Sequence, residues 1–127
     1  MQPSRPISPH LQIYRWYASM IMSIMNRATG LALTVAVIGL AVWLLCLASG
    51  PRAFAAVQSF LGSWFGILVL FGFTIVWAYH MLNGIRHLAW DAGYGFHPKE
   101  FRRTGIAVLI GTAATTVLVW LAVLIVA

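Results

Sequence analysis

Three uninterrupted apolar runs, roughly Ala28 to Ser49, Leu61 to Leu82 and Gly105 to Ala127, decide what this chain can become. Each matches the ~20 residues that an α-helix needs to cross a hydrocarbon core, and none has Asp, Glu, Lys or Arg well inside it. With 61% of 127 residues hydrophobic and 8% charged, the chain has too little polar surface to cover a soluble domain of this size. The expectation is an all-α membrane protein built as a single anchor domain, 1–127, with three transmembrane helices and a short N-terminal interfacial helix. More than two dozen residues with Pro3, Pro6, Pro9, Tyr14, Trp16 and Tyr17 precede the first run, which lacks a secretory cleavage pattern and is expected to be retained. The same segment lacks an Arg-rich transit pattern, so the bacterial plasma membrane is expected rather than the mitochondrial inner membrane.

The net charge of +6 is a topology signal. Arg5, Arg15 and Arg27 precede span one and Arg52 alone lies between spans one and two. Arg86, Lys99, Arg102 and Arg103 lie between spans two and three. With three crossings, all but Arg52 fall on one side, which places the N-terminus and second loop in the cytoplasm and the C-terminus outside. This distribution points to lipid and membrane partners and to no nucleic acid. Cys46 is the single cysteine, so this chain alone builds no disulfide, iron–sulfur cluster or cysteine zinc site.

Met1 to Pro9 reads as an extended lead. From Leu11, the positions Ile13, Trp16, Tyr17, Met20, Ile21 and Ile24 recur at helical spacing, as a short interfacial helix or the tilted start of span one. Ser49-Gly50-Pro51 stops span one. Phe54 to Phe60 is weakly amphipathic and suits the outer surface. Gly62 and Gly66 have the spacing that lets another backbone approach closely.

His80 is the one histidine in a span, and an ionisable residue there is by default a functional hypothesis. A metal would satisfy it, with haem iron the candidate; a neutral imidazole bonded to a neighbouring helix is the plain alternative. Because spans one and two run in opposite directions, Ser23, Asn26 and Arg27 share the cytoplasmic depth of His80. His80 and His87 stand seven residues apart, on one helix face with about 10 Å of rise, and cannot both be axial ligands of one iron. His10 and His97 lie in polar segments. The haem is therefore either five-coordinate or takes its sixth ligand from a second subunit, and partner helices are expected, since three helices cannot easily enclose a large cofactor. Arg27 and Arg86 have the depth to pair with two carboxylate arms, or to snorkel to lipid phosphate. The Ser23 hydroxyl could equally bond a quinone carbonyl.

Three blocks carry a family resemblance: Arg5-Pro6-Ile7-Ser8-Pro9-His10-Leu11-Gln12-Ile13-Tyr14-Arg15, Ser23-Ile24-Met25-Asn26-Arg27-Ala28-Thr29-Gly30, and His80-Met81-Leu82-Asn83-Gly84-Ile85-Arg86-His87-Leu88-Ala89-Trp90-Asp91. Together they closely resemble the cytochrome b membrane-anchor subunits of succinate dehydrogenase, respiratory complex II. The resemblance implies a subunit of a succinate:quinone oxidoreductase that does not oxidise succinate by itself. Electrons would pass from a flavoprotein through an iron–sulfur subunit to ubiquinone, with haem b shared with a smaller anchor subunit. It further implies His80 as a haem axial ligand and Ser23 and Arg27 as quinone-pocket residues. Arg86, His87 and Asp91 would belong to a motif near the haem edge and the iron–sulfur subunit. Where Asn26 stands, the family commonly has a histidine on a haem propionate, so propionate pairing would fall more heavily on Arg27 or the partner. The alternatives are the anchor of a quinol:fumarate reductase and a haem-free structural anchor. A transporter subunit is disfavoured because no span contains an acidic residue.

Overall fold

The computed structural model describes residues 13–126, and within them the apolar runs are helical apart from a break at Gly62 and Ser63. The elements are α1 (Ala18–Ser49), α2 (Pro51–Leu61), α3 (Trp64–Asp91) and α4 (Pro98–Val126). Of these, α1, α3 and α4 are long and apolar enough to cross a membrane. The expected extended lead, with Arg5 and His10, lies outside the described residues, as does Leu11.

The breaks between helices follow from local chemistry. Gly50, at φ 114°, adopts a conformation that L side chains rarely take, and Pro51 then opens α2 at a position whose N–H needs no partner. Gly62 closes α2, and Ser63 caps α3 through its Oγ, which accepts from the N–H of Gly66 at 3.1 Å. Helix α3 ends in a Schellman motif: Tyr94 N–H donates to Ala89 O at 2.9 Å and Gly93 N–H to Trp90 O at 2.8 Å, with Gly93 at φ 88°. Pro98 opens α4.

Ala18 to Ile24 forms the first turns of α1, and no α-helix covers Ile13 to Tyr17. The greasy-face periodicity there thus resolves as the start of span one. The separate short helix is α2, tied to α1 by Trp43 Nε1 donating to Gln58 Oε1 at 3.2 Å and by an edge-on contact of Trp43 with Phe54.

Helix α3 is the central element, packing against both α1 and α4. Its buried heart is small and half polar: Met22, Tyr79 and Val108 with Leu82 against them, and Asn83, Arg86, Thr112 and Thr116 also buried. The outer faces are apolar and open, with Leu31 72% and Ile110 66% exposed. This inversion suits a lipid solvent, in which small and hydrogen-bonding residues join helices and large apolar ones face the hydrocarbon.

Candidate functional site

At the end of the bundle near residue 26, α1 and α3 are laced by polar bonds. Tyr79 Oη donates to Met22 O at 3.1 Å. One helical turn further along α1, the Nδ1 of His80 lies 3.2 Å from Asn26 O and 3.2 Å from Thr29 Oγ1. A carbonyl oxygen can only accept, so Nδ1 carries the proton, and the Nε2 lone pair has no partner among the described residues. That is the tautomer of a metal-ligating histidine, aimed by the bond its other nitrogen makes. The Thr29 hydroxyl is itself oriented by Met25 O at 2.7 Å and Asn26 O at 3.0 Å. Gly30 completes the seat: a Cβ there would stand 3.2 Å from His80 Cε1, tighter than ordinary contact.

The other bonds of Asn26 and Arg86 extend the seam to α4. Asn83, fully buried, donates from Nδ2 to Asn26 Oδ1 at 3.0 Å and accepts on Oδ1 from Arg86 Nη1 at 3.4 Å. Arg86 also donates to Thr104 Oγ1 at 2.9 Å, to Phe101 O at 2.8 Å and to Met22 Sδ at 3.6 Å. Its Cζ lies 4.2 Å and 4.3 Å from the ring centroids of Trp90 and Phe101, which stack with planes 9° apart. Gly105 makes room for this junction, since a Cβ there would meet Met22 Sδ at 2.9 Å. Arg86 is thus a buried cation serving as an interhelical tie rather than a free arm at the open edge.

His87 donates through Nδ1 to Asn83 O at 2.9 Å, four residues back on its own helix, and packs on Trp90 with centroids 4.8 Å apart. Asp91 is exposed at the end of α3 and His97 is exposed ahead of α4. Ser23 and Arg27 stand one turn apart on α1, half-buried and exposed respectively. They lie along the same turns of α1 as Asn26 but make no hydrogen bond to His80 among the described residues. No three His, Cys, Asp or Glu side chains cluster to hold a metal among the described residues. An apolar groove of about 660 Å³ lies elsewhere, toward the far half of the bundle, between Gly39 and Trp43 on α1, Phe60 on α2 and Phe73 on α3.

A family model described as succinate dehydrogenase/fumarate reductase transmembrane subunit matches residues 1–119. The chain belongs to that family. It is 39% identical over 115 residues to the succinate dehydrogenase cytochrome b556 subunit of Paracoccus denitrificans, covering 91% of this chain and 88% of the relative. The cytochrome b556 subunit of Rickettsia prowazekii is 40% identical, covering 91% of this chain and 90% of its own length. The mitochondrial cytochrome b560 subunit of Sus scrofa is also 40% identical, covering 90% of this chain and 69% of its own length. A multi-pass membrane subunit of the succinate dehydrogenase/fumarate reductase family accords with the three long apolar helices.

For a member of this family, the residues that sequence reasoning passed over are those that aim the others. Thr29, Gly30 and Asn83 all fall inside the motif blocks, but residue type alone gives them no role. Depth was the signal that could have found them, because α1 and α3 are antiparallel and position 29 or 30 must then sit near position 80.

Proposed function

We propose that this chain is the cytochrome b anchor subunit of a succinate:quinone oxidoreductase, binding haem b through His80 and forming part of the ubiquinone reduction site. The observation that carries the reading is the His80 seat, with Nδ1 donating to Asn26 O at 3.2 Å, Nε2 without a partner among the described residues, and Gly30 opposite the ring, where a Cβ would crowd Cε1. These residues fit an axial haem ligand. Bound there, haem supplies a one-electron couple whose potential depends on its ligands and on surrounding hydrogen bonds. Among the described residues no second histidine stands near His80 to share one iron with it, and the smaller anchor subunit would supply the other ligand.

On α1, Ser23 donates its hydroxyl to a quinone carbonyl and Arg27 sets a cation beside the oxygens, favouring the more electron-rich, reduced quinone. Ubiquinone accepts two electrons delivered from succinate through the flavoprotein and iron–sulfur subunits, takes up two protons, and leaves as ubiquinol. Asn26 and Arg27 would hold the haem carboxylates, Asn26 as a hydrogen-bond donor and Arg27 as a cation. Arg86 contributes from within, because its guanidinium is already engaged by Thr104, Phe101 and Asn83. His87, next to Arg86 and packed on Trp90, lies toward the iron–sulfur subunit. Identity near 40% to cytochrome b subunits of succinate dehydrogenase, bacterial and mitochondrial alike, supports succinate oxidation at a membrane; the family description also covers fumarate reductases.

A dithionite-reduced minus oxidised spectrum of membranes bearing the complex, wild type beside His80→Ala, tests this. Loss or marked perturbation of a b-type signal in the variant is expected. An unchanged signal would assign the haem to other chains and leave this one an anchor bordering the quinone.

A further inference from the structure

The hydrogen-bond chain behind His80 has a direction. A guanidinium is a donor only, so Asn83 must turn its Oδ1 toward Arg86 Nη1, at 3.4 Å. Its NH2 then faces the opposite way and donates to Asn26 Oδ1 at 3.0 Å. Asn26, in turn, is left with its own NH2 as the free end of the amide, and this Nδ2 has no partner among the described residues. The same residue's main-chain carbonyl accepts from His80 Nδ1 at 3.2 Å. One half-buried asparagine thus holds Nδ1 of the imidazole through its main chain and keeps side-chain N–H donors free among the described residues.

We propose that Arg86 and Asn83 are positioning residues that orient the Asn26 amide as a donor toward a carboxylate arm of the group held by His80. The proposal rests on the haem reading given above. The reversed amide would set oxygen lone pairs against a carboxylate, so the obligate donor at residue 86 decides, through two amides, whether residue 26 attracts or repels an anion. A hydrogen bond of this kind withdraws negative charge from the cofactor and holds its reduction potential up.

The test is a double-mutant cycle read by redox titration of the haem and by its low-spin ferric electron paramagnetic resonance spectrum, in the assembled complex. Asn83→Asp is nearly isosteric, still accepts from Arg86, and as a carboxylate can only accept from Asn26, which reverses that amide. Its charge lowers the haem potential in any background, so the informative quantity is the difference between backgrounds. The expected result is a larger downward shift from Asn83→Asp with Asn26 present than with Asn26→Ala, and altered g values in the first case only. Equal shifts in both backgrounds would overturn the proposal. Should Asn83→Asp not assemble, Asn83→Leu frees the same amide, and the same comparison decides. Absence of any b-type spectrum in the wild-type complex would instead remove the haem reading, and the proposal with it.

Discussion

At residue scale, the close approach of Gly30 to His80 is the tightest constraint on the proposed ligand. A methyl group at position 30 would stand 3.2 Å from Cε1, so Gly30→Ala asks the imidazole to yield by a few tenths of an ångström. Gly30→Leu cannot be met that way, because the ring is also held at Nδ1 by Asn26 and Thr29. Overpacking of this kind costs about 1–3 kcal/mol. Gly30→Ala is expected to keep the haem with a shifted potential, and Gly30→Leu to lower haem content severalfold, measured by pyridine haemochrome in purified complex. Arg86 makes a second case. A lysine carries the charge but presents a compact ammonium, which cannot reach Thr104, Phe101 O and Asn83 together or lie flat on Trp90. Arg86→Lys should therefore destabilise the assembled complex by about 1.5–3 kcal/mol, the range for hydrogen bonds to a charged group, read as a lower melting temperature in detergent. An unchanged melting temperature would place the guanidinium contacts outside the fold's stability.

At element scale, the glycines of α3 and α4 differ in what faces them. A Cβ on Gly66 would collide with main-chain atoms of Phe60 and Leu61, whereas one on Gly111 meets only Leu82 Cδ1, at 2.9 Å, the end of a flexible side chain. Gly66→Ala should therefore cost about 1–3 kcal/mol of complex stability and Gly111→Ala markedly less, since Leu82 can change rotamer. A thermal melt of both variants showing equal losses would contradict the tight α2–α3 turn. This contrast also marks what could be read beforehand. The three apolar runs and the Ser49-Gly50-Pro51 stop declare themselves through length and residue type. The Gly62/Gly66 pair declares only that some backbone comes close, and the backbone turns out to be the chain's own, because Leu61 ends α2 and Ser63 restarts the helix. Hydropathy also says nothing of how far a helix continues past the headgroups: α1 begins at Ala18, and α3 carries on to Asp91 until the Schellman turn at Gly93. For the site, His80 stands out by type, as an imidazole in a span. Asn83 and Thr29 acquire their meaning from pairing across helices, which depends on rotation about the helix axis as well as depth.

At the scale of the whole molecule, orientation in the membrane decides which compartment exchanges protons with the proposed quinone site. The His80 seat, Arg86 and the α3–α4 connection lie at one end of the bundle, and α2 with Arg52 lies at the other. Arg15, Arg27, Lys99, Arg102 and Arg103 belong to the first end, and by the positive-inside tendency that excess of positive charge would direct it to the cytoplasm. Protons for ubiquinol would then be drawn from the cytoplasmic side. Thiol labelling checks the sidedness cleanly once the single native thiol is removed by Cys46→Ser. Tyr94, 72% exposed between α3 and α4, and Ser59, exposed on α2, are suitable positions. In the Cys46→Ser background, Tyr94→Cys is expected to react with a membrane-impermeant maleimide in inverted vesicles and to be protected in right-side-out ones. Ser59→Cys should show the reverse. The opposite pair of results would place the His80 end outside, and with it the proposed iron–sulfur and flavoprotein partners, an arrangement that the charge distribution opposes.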